Sequence, residues 1–203
     1  MAHDLIWALL VFVVVTLFTP GPNNAMLMAT GLNFGFRRGL PHLLGVALGF
    51  AVMVLAVGLG LGALFRAYPA VYLILKYAGA AYLLYLAWQI ASAGPVADGG
   101  KEHGRPISFL EAAAFQWLNP KGWVMAVGAA SAYAAVAAFP LNMLLISFLF
   151  GSLGMLSSAT WLGFGTGLKR LLASPRAVRA LNVAMALLLV ASLWPILDDA
   201  WRW

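Results

Sequence analysis

Two proline motifs interrupt apolar segments at corresponding places in the two halves of this chain. They are Thr19-Pro20-Gly21-Pro22-Asn23 in the first hydrophobic segment and Leu118-Asn119-Pro120-Lys121-Gly122 in the fourth. A proline has no N–H to donate and crowds the preceding turn, so a helix breaks there and leaves main-chain groups without partners. In hydrocarbon such groups survive only where protein or a water-filled cavity satisfies them. The pair of breaks therefore predicts a polar site at membrane depth, the arrangement of a carrier.

The membrane setting follows from the residues around the breaks. Of 203 residues, 64% are hydrophobic and only 9% charged, and the mean hydropathy is +0.93. At about 20 apolar residues per span, this length holds roughly six spans and no separate soluble catalytic domain. The spans are read at 5–30, 39–64, 69–92, 108–131, 139–166 and 177–197. Met1-Ala2-His3-Asp4 lacks a basic leader and runs straight into the first span, so it is not read as a cleaved signal. The formal charge of +6 does not point to nucleic acid, because most basic residues fall in connections, where they meet lipid head groups. The absence of cysteine excludes disulfides, thiolate metal sites and a thiol nucleophile.

Basic residues also predict orientation. The first, third and fifth connections carry Arg37, Arg38, Lys101, Arg105, Lys169, Arg170, Arg176 and Arg179, against Arg66 and Arg202 on the other side. Both termini are thus expected on the side away from the cytoplasm. Three spans on each side of the connection then have opposite orientations, an inverted repeat. The expected fold is one all-α integral membrane domain over 1–203, six helices as 3+3 repeats, with the first and fourth helices broken at proline. The first repeat is placed at about 5–93, a cytoplasmic connection at about 94–107 and the second repeat at about 108–203. Pro20 and Pro120 lie about 15 and 13 residues into their spans, roughly 20 Å along a helix, so the breaks approach the midplane from opposite sides. Pro69 and Pro175 open the third and sixth spans alike. Glycines recur every four residues at Gly31, Gly35 and Gly39, at Gly45 and Gly49, and at Gly163 and Gly167. They read as faces for close helix contact, inside the bundle or along a homodimer seam.

The breaks themselves supply the chemistry. Amides that open the half-helices after Pro22 and Pro120 carry positive partial charge suited to a carboxylate. Carbonyls around Phe18 and Leu118 offer the negative end for an ammonium. Together they match a zwitterion; a plain proline kink is the simpler reading, and two kinks in matching places, each beside asparagine, weigh against it. Asn23, Asn24 and Asn119 can line a polar site or cap the broken helices. Gln116, one turn before the second break, is expected to face the cavity, and Gln89 and Asn182 to bridge helices.

Apart from Arg179 at the very start of the sixth span, three charged residues fall inside the spans. An ammonium at the depth of Lys121 costs on the order of 2.5 to 3.5 kcal/mol on insertion scales, so it needs a cavity, a partner or a route to the interface. Because it follows the break directly, Lys121 is expected to face substrate. Lys76 lies nearer a membrane surface and can snorkel. Glu111 could relay protons, yet Ser108-Phe109-Leu110-Glu111 is a capping box that accounts for it without function. Lys76 and Glu111 are therefore accessory or coupling candidates. With a lysine and no acid at the breaks, a neutral amino acid fits better than a dicationic one, and an anionic metabolite also fits.

The blocks TPGPNNAMLMATGLNFGFRRGLPHLLGVALGF (19–50), LKYAGAAYLLYLAWQI (75–90) and FQWLNPKGWVMAVGAAS (115–131) resemble the LysE/RhtB family of amino-acid exporters. The resemblance covers almost the whole length. It implies six spans and efflux of amino acids or derivatives from the bacterial cytoplasm, driven by the proton gradient. The family's PGP motif falls on Pro20, Gly21 and Pro22, and its NPK motif on Asn119, Pro120 and Lys121. Many members carry Asp after PGP where this chain has Asn23, which leaves the first break without a titratable group. PGPNN, FQWLNPKGW and ALLLVAS near the C-terminus look closer to the branch that exports cysteine and O-acetylserine; threonine or homoserine is the other substrate type.

A secondary exporter of small neutral amino acids, coupled to protons and working by alternating access, is the function this reading expects. The substrate-binding candidates are Pro20, Gly21, Pro22, Asn23, Asn24, Gln116, Asn119, Pro120 and Lys121. The alternative is a passive channel on an aquaporin-like plan, against which Asn-Pro occurs only once in the relevant places. An embedded enzyme would need paired acids, a metal cluster or an activated nucleophile; the spans supply none, so no catalytic residue, metal or cofactor is expected. The expected partners are an amino acid, protons and lipid, with a homodimer open and no nucleic acid.

Overall fold

The computed structural model describes residues 2–61, 67–92, 105–171 and 174–193. Among the described residues the regular elements are all helical: α1 (Ala2–Phe18), α2 (Pro22–Phe34), α3 (Phe36–Ala56), α4 (Pro69–Ser92), α5 (Phe109–Gln116), α6 (Pro120–Ala132), α7 (Leu141–Leu171) and α8 (Pro175–Ala191). A π-helical turn, Val57–Leu61, extends α3. Phe36–Leu61 and Leu141–Leu168 are long and apolar enough to cross a membrane, and α1 with α2 makes a third such stretch bent by 52°. Helices α4, α5 with α6, and α8 cover the other three expected segments. Most of the third connection, Arg66, Lys101, Arg202 and the end of the sixth span lie outside the described residues.

Both breaks are present, and their sequence causes are visible. Pro22 and Pro120 each open a half-helix, where a missing N–H costs nothing. Between α2 and α3 the chain turns at Gly35, whose φ of +81° strongly favours glycine. That corner corrects one expectation: Gly31, Gly35 and Gly39 do not form one helical face.

Gly31 and Gly39 instead converge from two helices on the same residue, Leu162 of α7. A methyl at Gly31 would lie 2.1 Å from the Leu162 carbonyl oxygen, and one at Gly39 2.4 Å from its Cδ1. On α7 the close approach is made by Gly165, 2.0 Å by the same construction from the Met28 carbonyl. Gly163 and Gly167, expected from their spacing, have nothing nearer than 3.9 Å. Gly45 and Gly49 do pack tightly, against Phe109 and Ala113 of α5, and Gly79 of α4 meets the Leu118 carbonyl. Main chain touches main chain at these crossings, which is how small residues hold helices together in lipid.

Two apolar cores flank the breaks. One gathers Met26, Leu83, Leu86, Phe115, Met185 and Leu189 from α2, α4, α5 and α8. The other gathers Leu9, Val13, Met53, Met125, Ile146 and Phe150 from α1, α3, α6 and α7. Outside them Trp7, Val11, Ile74, Trp88, Phe148 and Leu187 are each at least 60% exposed, a surface suited to lipid.

One polar bridge crosses the first core. The amides of Asn33 on α2 and Asn182 on α8 exchange reciprocal hydrogen bonds of 3.1 Å. Gln89, expected to bridge helices too, is exposed and bonds to Tyr85 of its own helix. A double-mutant cycle with Asn33→Ala and Asn182→Ala, read as chemical unfolding in detergent, should give a coupling of about 0.6 and at most about 1.7 kcal/mol. Additive losses would show that the bridge contributes nothing of its own.

Candidate substrate site

The first break strands the carbonyls that end α1, because Pro20 and Pro22 lack the N–H groups that would continue the ladder. Side chains take their place. The Asn24 amide donates to the Leu17 carbonyl at 2.9 Å and to the Thr19 carbonyl at 3.0 Å. Ser157 of α7 donates to Leu17 as well, at 2.9 Å. Asn24 thus serves the end of α1 and not the start of α2, whose N-cap, Gly21, has no side-chain cap.

The second break is closed by Asn119. Its side-chain oxygen accepts the Lys121 N–H at 3.2 Å and so caps α6. The Trp117 carbonyl is taken by the Trp123 indole at 2.9 Å. Gln116, fully buried, sends its amide to the Ala112 carbonyl at 2.8 Å.

Two links join the breaks across some hundred residues of sequence. Asn23 and Gln116 pair their amides reciprocally, at 2.8 and 3.2 Å. Lys121 extends over Gly21 and donates from Nζ to the Thr19 carbonyl at 2.7 Å. Gly21 makes room for it: a methyl there would lie 3.0 Å from the lysine Cδ and 3.1 Å from Nζ. Lys121 is half-buried, so its ammonium runs into the bundle and takes a carbonyl as partner.

Between the breaks lies a small cavity of about 40 Å³ lined by Gly21, Asn23, Asn24, Asn119, Lys121 and Ser157, among others. By the room one water needs, it holds about three waters. Even glycine has five heavy atoms, so the space as it stands is too small for an amino acid. A second cavity, of about 410 Å³, opens between α2, α4 and the approach to α5, with Thr30, Asn33, Gln89 and Arg105 on its wall.

Of the sequence candidates, Gly21, Pro22, Asn23, Asn24, Asn119 and Lys121 line the small cavity, Gln116 adjoins it through Asn23, and Pro20 and Pro120 shape the two breaks. Glu111 is elsewhere and fully engaged. It completes the capping box with Ser108, accepting its hydroxyl at 2.7 Å and its N–H at 2.9 Å, and receives Arg105 at both oxygens, at 2.5 and 2.7 Å. Lys76 lies on α4 with its side chain outside the described residues. Sequence reasoning passed over Ser157, an ordinary residue in a membrane helix, and His42, which is buried in α3 with Nδ1 2.9 Å from the Thr30 hydroxyl.

Comparison with known proteins bears on this site. A family model described as "LysE type translocator" matches residues 14–192, which include both breaks. The chain is 34% identical to the cysteine/O-acetylserine efflux protein of Escherichia coli (strain K12) over 192 residues, 94% of this chain and 96% of that one. The protein of the same description from Shigella sonnei (strain Ss046) is equally similar over the same shares, and that of Escherichia coli O139:H28 is 33% identical, again over 94% and 96%. No solved structure matches.

Proposed function

The chain belongs to the LysE type translocator family, and on that premise we propose that it exports small neutral amino acids or their derivatives, cysteine and O-acetylserine first, from the bacterial cytoplasm. The observation that carries this reading is the convergence of two broken helices on one polar cavity, tied together by Lys121 and the Asn23–Gln116 pair. The uncapped amides that open α2 suit a carboxylate, those of α6 become available to one where Asn119 gives up the Lys121 N–H, and the Thr19 carbonyl suits an ammonium. In this geometry the Lys121 ammonium occupies that carbonyl. Substrate entry then exchanges one ammonium for another, with Lys121 turning to the substrate carboxylate. No acid among the site's lining residues offers a countercharge for a second positive group, which favours neutral substrates.

Alternating access through a 3+3 inverted repeat is supported by the pattern of contacts. Exchanging the first span with the fourth, the second with the fifth and the third with the sixth turns the contact of the first span with α7 into one of the fourth span with α3, which is made chiefly by α5, the half before the break, where α2 is the half after it. The same exchange maps α3–α7 and α4–α8 onto themselves. The crossings of α2 on α7 and of α3 on α5 are packed main chain to main chain, whereas a methyl added at Gly122 or Gly128 on α6 would meet its nearest neighbour at 3.4 and 3.7 Å, ordinary contact. Basic residues in the odd connections support termini outside the cytoplasm.

The test is transport in proteoliposomes loaded with labelled cysteine, O-acetylserine or threonine. Efflux driven by an imposed proton gradient and abolished by an uncoupler is the expected result. Efflux indifferent to the uncoupler would favour a facilitator, and movement of none of these amino acids would overturn the reading.

A further inference from the structure

Export driven by protons needs a group that binds one, and the only titratable break residue, Lys121, is already assigned to the exchange of ammonium groups at Thr19. Asn23 cannot titrate, and the Glu111 carboxylate is held by Arg105 and Ser108. We propose that His42 is the residue that takes up and releases the transported proton, an inference that rests on the export reading above.

Three observations support it. His42 is wholly buried in α3, and its Nε2 has no hydrogen-bond partner among the described residues. An unsatisfied polar atom in a packed interior is costly, and most buried polar groups avoid it. A leucine or alanine at that position would carry no such cost. The second observation is that Nδ1 lies 2.9 Å from the Thr30 hydroxyl, while Thr30 also forms part of the wall of the 410 Å³ cavity. A hydroxyl both donates and accepts, so Thr30 can pass a proton between cavity water and the imidazole.

The third observation is position. One turn before His42, Gly39 packs on Leu162 of α7; one turn after it, Gly45 packs on the Phe109 carbonyl of α5. These crossings hold α3 against α7 and α5, and a movement of α3 away from either must part them. In the closed packing, an imidazolium would present Nε2–H with no acceptor among the described residues, so the charged form is disfavoured there. Protonation therefore favours the parted arrangement, and loss of the proton favours the closed one, which is the link a coupled carrier needs. The charged surroundings are few. From α5 the Glu111 carboxylate acts electrostatically on His42, with Arg105 paired to it. His42's own helix, α3, carries Arg37 and Arg38, the latter over the Phe34 ring. Neither α2 nor the 141–168 stretch of α7 contributes a charged residue. The step involves no bond other than the N–H: one proton is taken onto the imidazole and the same proton is given up, with the Thr30 hydroxyl as the route to the 410 Å³ cavity.

The experiment separates exchange from coupling. Wild type, His42→Gln and Thr30→Val are reconstituted, and labelled O-acetylserine counterflow, which moves no net proton, is compared with acidification of a trapped pH dye during net transport. His42→Gln keeps an amide to bond Thr30 but cannot carry a proton. It should retain counterflow and lose substrate-linked proton movement, and net transport should lose its dependence on pH. Thr30→Val, which leaves the imidazole in place, should slow proton movement while sparing counterflow, and it decides the matter if His42→Gln does not fold. Substrate-linked proton movement at the wild-type rate in the folded variants would overturn the proposal. Wild type that exchanges O-acetylserine without moving protons would overturn it and leave export standing. Wild type that exchanges no amino acid would overturn the export reading itself.

Discussion

Gly165→Leu is expected to remove the folded protein from the membrane. Even the first carbon of a side chain there would lie 2.0 Å from the Met28 carbonyl oxygen, 2.8 Å from its carbon and 3.0 Å from the Leu32 nitrogen. These are main-chain atoms inside α2, which cannot turn aside as a flexible side chain can. The contact is mutual, since Gly31 of α2 stands in the same relation to Leu162 and Thr166 of α7, and the Thr166 hydroxyl reaches the Gly31 carbonyl at 3.4 Å. Relief would require the two helices to separate along the most tightly packed crossing in the bundle. Overpacking a core costs about 1 to 3 kcal/mol when side chains can adjust. Here they cannot, so the loss should exceed that range and take a large part of a total stability of about 5 to 15 kcal/mol. The measurement is yield and thermal midpoint of the detergent-extracted protein by fluorescence-detected size exclusion. Gly167→Ala is the control, because a methyl at Gly167 meets nothing within 4 Å and should change stability by less than about 0.5 kcal/mol. Wild-type yield and midpoint for Gly165→Leu would show that α2 and α7 are not packed in this way.

The contrast between Gly165 and Gly167 also marks how far the sequence can be read. Spacing of four residues announced that α7 has a small-residue face, but the choice among Gly163, Gly165 and Gly167 depends on where a helix more than a hundred residues away presents its carbonyls. Local chemistry was legible throughout. Pro20, Pro22 and Pro120 locate the two breaks because a missing N–H acts on its own turn, and Ser108 with Glu111 forms its capping box within four residues. Gly35 was misread as part of a face for a related reason: φ of +81° belongs to a corner, and periodicity alone cannot distinguish a corner from a helix. At the site, the identity of the polar residues was readable and their partners were not. Asn24 was expected at the start of α2, and it turns back to the carbonyls of α1 because Pro20 and Pro22 leave those carbonyls more in need of a donor. Ser157 and His42 gave no sequence signal, since their significance lies in which atom they face and which they lack.

Lys121→Met should abolish most transport while leaving a stable protein, and this combination distinguishes a working ammonium from a structural one. Methionine keeps an unbranched stem over Gly21, one atom shorter, and removes the ammonium with both its charge and its bond to Thr19. The Thr19 carbonyl retains Asn24 at 3.0 Å, so the first break does not lose its last donor, and the Asn23–Gln116 pair still ties the two breaks. Stability should therefore fall by about 1 kcal/mol, the net worth of one hydrogen bond with a remaining partner. Transport faces a larger loss. If the ammonium passes from the Thr19 carbonyl to the substrate carboxylate, its removal costs a charge-assisted bond of about 1.5 to 3 kcal/mol in the loaded state, or about tenfold to a hundredfold in apparent affinity. Lys121→Arg restores the charge but adds a planar fork where Gly21 leaves room for a slim stem, so it should recover only part of the activity. The informative readout is KM against maximal rate for O-acetylserine counterflow, alongside the thermal midpoint. A raised KM with a midpoint lowered by no more than about 2 to 4 °C, the shift that about 1 kcal/mol gives in a chain of this size, supports the exchange of ammonium groups at Thr19. Unchanged transport with a lowered midpoint would make Lys121 a strut between the two broken helices, and the carboxylate would then have to be met by the opening amides of α2 and α6 alone.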